Sequence, residues 1–242
     1  THTHTHTHNT HTHRYLKQDL PMLIQYAPTL PLMSISIKCL CTMVKSVGAT
    51  RRRAPEMYTV VQKCFRYELD RLKDPNFKRK PRSLIVAGLF CRYSDFKLHL
   101  ESGKTFAIDI KNVEELFQKS INEFVAHDGL AFKRAGFSCL GSLFVRKPDL
   151  IQRKDANRVL DGALQHSNED IRMLAVTALT DFVGEDVSDT EATSLRNSMM
   201  QKFLSRILGC IYCEKEDTAA AALRLVETIQ DRGQVHPQLC IP

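Results

Sequence analysis

Residues 132–143 read FKRAGFSCLGSL, and the apolar or small side chains in this stretch recur every three or four positions. The recurring residues are Phe132, Ala135, Gly136, Cys139 and Leu143. This spacing places them on one face of an α-helix, whereas a half-buried β-strand would need strict alternation. The stretch therefore predicts a helix whose buried face carries small side chains, so that a neighbouring helix can approach closely.

The same spacing occurs in eight further segments, four on each side of this stretch. They cover residues 37–47, 57–72, 84–91 and 113–124 before it, and 159–163, 171–182, 200–211 and 219–229 after it. Turn-forming residues separate the segments, at Gly48, Asp74-Pro75-Asn76, Ser102-Gly103, Asp128-Gly129, Lys147-Pro148-Asp149, Ser167-Asn168 and Gly184. Each turn is predicted to join two antiparallel helices.

Alternate helices begin near Ile37, Leu84, Phe132, Ile171 and Ala219, so successive pairs are offset by 47, 48, 39 and 48 residues. HEAT and armadillo helix pairs repeat every ~40–47 residues. The sequence therefore predicts an all-α fold, an α-solenoid of HEAT-type antiparallel helix pairs. A four-helix bundle fits less well, because nine segments exceed one bundle and the regular offset would be accidental.

The two ends of the chain differ from this pattern. Residues 1–13 alternate Thr and His almost perfectly, and residues 1–14 are predicted to be a disordered, low-complexity leader. Residues 15–242 are predicted to form the solenoid, truncated in its last repeat because the pattern stops one helix into a pair. No run of about 18 apolar residues occurs, so the sequence predicts no membrane span.

Positive charge is concentrated in one part of the chain. The formal net charge of the chain is +7, and residues 51–82 alone contain eleven Lys or Arg against four Asp or Glu. Two clusters stand out, Arg51, Arg52 and Arg53 in one predicted turn and Lys78, Arg79, Lys80 and Arg82 in the next. They are candidate contacts for nucleic acid or an acidic partner. A solvated helix with a basic turn at each end explains the same pattern about equally well.

No catalytic group can be nominated. The Gly103-Lys104-Thr105 sequence is not a phosphate-binding loop, because Leu98 occupies the position of the motif's first Gly and the context is predicted to be helical. Cys210 and Cys213 lack the second pair of ligands that a zinc site needs, and the cysteines in general are predicted to be reduced and buried. We therefore predict no catalytic residue, no metal, no cofactor and no small-molecule substrate.

Three ordered motifs stand out in the sequence. They are Arg82-Ser83-Leu84-x-x-x-Gly88-x-x-Cys91-Arg92-x-x-Asp95-Phe96, then Leu140-Gly141-x-x-Phe144-x-x-x-Pro148-x-Leu150, then Gly233-x-Val235-His236-Pro237-x-x-Cys240-x-Pro242. Together they resemble the C-terminal HEAT region of the Nipped-B (adherin) family, the cohesin loaders. The residues that mark the family have packing and turn roles, and they are Gly88, Cys91, Arg92, Asp95, Phe96, Pro148, His236, Pro237 and Cys240.

The resemblance implies a nuclear, chromatin-associated scaffold that binds DNA and the kleisin and SMC subunits of cohesin. It implies that the scaffold stimulates the ATPase of cohesin and loads the ring for sister chromatid cohesion. The region that binds the loader's partner subunit is absent from this sequence, and the leader has no counterpart in the family. A generic HEAT scaffold of the transport or adaptor type, without a nucleic-acid role, is the alternative.

Overall fold

A computed structural model of the chain describes residues 24, 26–48, 54–94, 98–99, 105–106, 110–184 and 190–234. The helices are α1 (Leu30–Gly48), α2 (Ala54–Lys73), α3 (Lys80–Tyr93), α4 (Ile110–Lys119), α5 (Leu130–Arg146), α6 (Lys154–Leu164), α7 (Glu169–Gly184), α8 (Thr190–Cys210) and α9 (Glu216–Asp231). A π-helical turn (Ser120–Val125) continues α4, and a 3-10 helix (Pro148–Gln152) precedes α6. All nine predicted segments fall on these helices, so the all-α fold class is confirmed.

The chain divides into two compact units, Thr1–Asn112 and Val113–Pro242. The predicted leader, residues 1–14, lies outside the described residues, and the single solenoid over residues 15–242 stays a prediction. Within the described parts of the chain, no helix has both the length and the hydropathy needed to cross a membrane.

The first unit is built from α1, α2 and α3, and each of these helices packs on the other two. Ile37, Leu40 and Val44 of α1 are fully buried, as their spacing predicts. The ring of Phe65 on α2 meets that of Phe90 on α3 edge to face, with centroids 6.4 Å apart. Apolar residues at helical spacing therefore form a single core shared by the three helices.

A short β-hairpin follows α3 and corrects one prediction. Strand β1 (Leu98–His99) pairs with β2 (Thr105–Phe106) in antiparallel register, with Leu98 opposite Phe106. The predicted helical context of Gly103-Lys104-Thr105 was therefore wrong. The ladder was missed because two-residue strands are too short for an alternating pattern to be read.

In the second unit the helices form two layers. One layer contains α4 with its π turn, α6 and α8, and the other contains α5, α7 and α9; within each layer, successive helices are in contact. Contacts of α6 with α7 and of α8 with α9 connect the layers. This sequential packing of helix pairs is the arrangement expected of HEAT-type repeats in a solenoid.

Two glycines of α5 allow neighbouring segments to approach closely. A β-carbon on Gly136 would come within 2.7 Å of Val125 Cγ2 in the π turn. One on Gly141 would lie 3.1 Å from the Cα of Ala178 on α7. A β-carbon at 2.7 Å is a clash and one at 3.1 Å is unusually tight, so a larger residue at either position would force the neighbouring segment to shift. The small residues of the opening stretch thus set the spacing between elements, as predicted.

Glu169, the first residue of α7, links two successive helix pairs. Its two carboxylate oxygens accept hydrogen bonds from the backbone N–H groups of Glu214 (3.0 Å) and Lys215 (2.8 Å), which lead into α9. Lys215 Nζ also donates to Asp170 Oδ2 at 2.7 Å. Because Lys215 is the N-cap residue of α9, this carboxylate satisfies an N–H at the start of that helix and complements its dipole.

Candidate functional site

The turn between α2 and α3 displays the basic cluster that the sequence singles out. The Asp74 carboxylate accepts a hydrogen bond from the Asn76 N–H at 2.9 Å, and the Phe77 N–H donates to the Asp74 carbonyl. Pro81 then fits the first turn of α3, where a missing N–H costs nothing. Local hydrogen bonds and one proline therefore fix the backbone that carries Lys78 and Arg79.

Arg71 anchors this turn to the body of α2. Its guanidinium lies 4.0 Å from the ring centroid of Tyr67 and 4.9 Å from that of Phe77, and it pairs with Glu68 at 3.4 Å. Burial raises the pKa of the Glu68 carboxyl, and the nearby charges of Arg71 and Arg82 oppose that rise. Arg71 thus holds a residue of the turn, Phe77, against the helix.

The four described candidates differ in how much charge they present to solvent. Lys78 and Arg79 are exposed, and Lys80 is half-buried. Arg82 is also half-buried, and its guanidinium donates a hydrogen bond to the carbonyl of Ile24 at 2.9 Å. Arg82 therefore ties α3 to an earlier segment, and Lys78 with Arg79 form the outward part of the cluster. Arg51, Arg52 and Arg53 lie outside the described residues.

Further exposed cations extend the cluster along α2. Lys63, Arg66 and Lys73 are exposed and lie three and seven residues apart, which places them on one side of the helix. At a rise of 1.5 Å per residue they span about 15 Å. Helical spacing alone could have added these three to the candidates. We call Lys63, Arg66, Lys73, Lys78 and Arg79 the basic row.

The residues that mark the family resemblance have packing roles where they are described. Gly88 and Cys91 are buried in α3, the Arg92 guanidinium lies 5.5 Å from the centroid of the Tyr93 ring, and Pro148 begins the 3-10 helix. Gly141 of the second motif provides the close contact with α7. Asp95, Phe96, His236, Pro237 and Cys240 lie outside the described residues.

The described thiols do not form a metal-binding cluster. All seven described cysteines are free, and burial raises the pKa of Cys41 and of Cys139 to about 12, which keeps both protonated. Cys39 is exposed, so its predicted burial was wrong: it falls outside the Ile37, Leu40 and Cys41 stripe. Across the described ranges, no three His, Cys, Asp or Glu residues are placed to hold a metal ion.

The carboxy-terminal part of the chain matches a known family model. Residues 196–242, which include most of α8 and all of α9, match the family described as Nipped-B_C, sister chromatid cohesion C-terminus. These residues are therefore similar to the C-terminal region of the Nipped-B family. The chain is also 23% identical over 184 residues to Nipped-B-like protein A of Danio rerio.

That alignment covers 66% of this chain and 8% of the Danio rerio protein. The chain thus corresponds to a small part of the Nipped-B relative that it matches. The matched residues 196–242 contain the third sequence motif, which runs from Gly233 to Pro242. The Nipped-B resemblance read from the three motifs is confirmed, and neither match describes a catalytic family.

Proposed function

We propose that this chain is part of a cohesin-loading scaffold, which binds cohesin and DNA and promotes the loading of the cohesin ring onto chromatin. The match of residues 196–242 to the sister chromatid cohesion family carries the proposal. Two layers of packed helices in the second unit suit a protein that acts by binding.

In this proposal the scaffold works in the nucleus, contacts the kleisin and SMC subunits, and stimulates ATP hydrolysis by cohesin itself. The relative's partner subunit would bind a region outside this sequence. In this proposal the chain itself contributes binding surfaces.

The basic row is the proposed DNA contact. B-DNA carries about one negative charge per 1.7 Å of axis, so the three cations of the row that lie on α2, which span about 15 Å, can face several phosphates. Lys and Arg at such a row release counterions, and the resulting affinity falls steeply with salt but depends little on base sequence. Exposed Lys78 and Arg79 sit on a turn whose backbone is already ordered, which reduces the entropy lost on binding.

The test is a fluorescence-anisotropy titration of the chain with duplex DNA at two salt concentrations. Lys78→Glu combined with Arg79→Glu is expected to weaken DNA binding by about 10-fold or more. The slope of the logarithm of the binding constant against the logarithm of the salt concentration should become shallower by about 2, because two phosphate contacts are lost. The matched control is Lys154→Glu with Arg158→Glu, because both residues are exposed on α6 and the charge change is identical. The control is expected to change affinity by less than about 2-fold.

Equal losses in both double variants would assign DNA binding to net charge alone and overturn the role of the basic row. A parallel titration with a complex of cohesin kleisin and SMC heads tests the partner. A folded chain that binds neither DNA nor cohesin would refute the loader function and favour a HEAT scaffold of the transport or adaptor type.

A further inference from the structure

Cys210 and Cys213 form a Cys-x-x-Cys pair where α8 turns towards α9. Cys210 is the last residue of α8, and the N–H of Cys213 donates to the carbonyl of Cys210 at 3.3 Å. A turn closed by such a bond brings its two end Cα atoms within about 7 Å, and disulfides usually span Cα atoms about 4.4–6.8 Å apart. The backbone therefore holds the two cysteines at a separation that suits a disulfide.

The side chains of the pair also meet. A hydrogen bond joins the thiols of Cys210 and Cys213, and both thiols are free. Side chains in contact can form an S–S bond by rotation about their own single bonds, without movement of either helix. The structure is therefore poised for a bond between these two sulfur atoms.

The two thiols have different environments. Cys210 is buried, its S–H faces the carbonyl of Leu164 at 3.7 Å, and burial raises its pKa to about 11. Cys213 is half-buried, in a turn whose preceding residue, Tyr212, is 70% exposed. A reagent in solvent therefore reaches Cys213 first, and Cys210 lies behind it as a protonated thiol.

Arg172 of α7 places a positive charge beside the Cys213 sulfur. Its NH1 lies 3.4 Å from Cys213 Sγ, and its Nε donates to the carbonyl of His166 at 2.5 Å, which holds the guanidinium in position. A cation that hydrogen-bonds to sulfur favours the thiolate, which is the nucleophile in thiol–disulfide exchange. The nearby Glu169 carboxylate opposes a thiolate, but it already accepts two backbone N–H bonds.

We infer that Cys213 and Cys210 form a thiol–disulfide exchange site whose substrate is a small-molecule disulfide such as glutathione disulfide. The Cys213 thiolate attacks one sulfur of that disulfide, so a mixed disulfide forms and one small thiolate leaves. Cys210 then gives up its proton and attacks the Cys213 sulfur, which forms the Cys210–Cys213 bond and releases the second small thiolate. The protein thiols lose two electrons, and their protons end on the two small thiols.

This site does not depend on the cohesin or DNA proposal, because all of its contacts lie within the second unit and apart from the basic row. The test is to equilibrate the full chain in glutathione buffers of increasing oxidised fraction, block the remaining thiols with N-ethylmaleimide, and digest with trypsin. Both cysteines fall on one tryptic peptide, residues 207–215. Their disulfide therefore appears in the mass spectrum as that peptide without label and without its two thiol hydrogens.

We expect this species to form in the oxidised buffers and to disappear when excess reduced glutathione is added. A peptide 207–215 that stayed labelled on both cysteines in every buffer would overturn the inference. Cys39→Ser, which removes an exposed thiol from α1, is the matched control and should leave the disulfide of residues 207–215 unchanged.

Single substitutions separate the roles of the two cysteines. Cys210→Ser removes the second attacking group, so the mixed disulfide of Cys213 with glutathione should accumulate. Cys213→Ser should leave Cys210 unmodified, because that thiol is buried and protonated. Equal formation of mixed disulfide by the two variants would contradict the assigned order of attack.

Arg172→Gln tests the positioning charge. In the Cys210→Ser background it should slow the formation of mixed disulfide at Cys213 by about 5-fold or more, whereas Arg172→Lys should retain most of the rate. Arg224→Gln, which removes an exposed cation from α9, is the matched control and should change the rate by less than about 2-fold. Equal rates in Arg172→Gln and Arg224→Gln, with both variants folded by circular dichroism, would show that Arg172 does not activate Cys213.

Discussion

The turn between α2 and α3 and the turn between α8 and α9 both connect neighbouring antiparallel helices, but they use charge differently. In the first, the cations at the tip, Lys78 and Arg79, are left in solvent, and Arg71 behind them holds the turn. In the second, Lys215 is bound through both its backbone and its side chain to the start of α7. A basic residue in a repeat turn is therefore available to a ligand only when the neighbouring repeat does not bind it.

The largest expected effect concerns the residue that holds the first turn. Arg71→Ala removes the contacts with Tyr67 and Phe77 and leaves the buried Glu68 without its close ion-pair partner. We expect the free energy of unfolding to fall by about 1–3 kcal/mol. Urea denaturation followed by circular dichroism measures the change.

Lys78→Ala is the control for that experiment, because an exposed side chain at the tip of the turn should alter stability by less than about 0.5 kcal/mol. If Arg71→Ala and Lys78→Ala lowered the free energy of unfolding equally, Arg71 would have no special role in holding the turn.

The two turns should also respond to acid in opposite directions. Burial raises the pKa of Glu68 above its ordinary 4.5, so the native state binds the proton first and stability rises as pH falls towards 4.5. The backbone N–H of Lys215 lowers the pKa of Glu169, so its stabilisation is complete above 4.5 and is lost as pH falls through the lowered value.

Unfolding free energies over a pH series, measured for the wild type, Glu68→Gln and Glu169→Gln, test both signs. In the wild type, Glu68 should raise the free energy of unfolding as the pH falls towards 4.5, and Glu68→Gln should abolish that rise. Glu169 should lower the free energy of unfolding as the pH falls below 4.5, and Glu169→Gln should make that decrease smaller. If both substitutions altered the pH dependence of the unfolding free energy in the same direction, the pKa directions given for Glu68 and Glu169 would be contradicted.

The smallest expected effect separates the side chain of Lys215 from its backbone. Lys215→Ala deletes the pair with Asp170 but keeps the N–H bond to Glu169, so it should cost only about 0.2–1 kcal/mol. High salt should remove most of that difference, because the side chains are 54% and 31% exposed. A cost that persists at 1 M salt would indicate a contribution other than charge pairing.

Local features of the fold were predictable from the sequence. The Phe132 to Leu143 periodicity identified α5, and the Pro148 turn gave its end, because both depend on residues within a few positions of each other. Gly136 was also correctly read as a small residue at a close helix contact. These signals need no knowledge of the rest of the chain.

Contacts between distant residues could not be read in this way. Arg82 meets the carbonyl of Ile24, 58 positions earlier, and Glu169 accepts hydrogen bonds from an N–H 45 positions later. Which members of a basic cluster remain free depends on such partners. The contact of α8 with the 3-10 helix Pro148–Gln152 is likewise not revealed by the spacing within either segment.

The hydrogen bonds from Glu169 to the start of α9 also bear on how the protein unfolds. Solenoids behave as linear arrays in which each unit is stabilised by its own contacts and by those with its neighbour. The Glu169 carboxylate of one helix pair binds the start of the next pair. It therefore increases the stabilisation that comes from contacts between pairs relative to the stabilisation that each pair has on its own. The α8 and α9 pair should therefore melt together with α7 in a single transition instead of fraying separately.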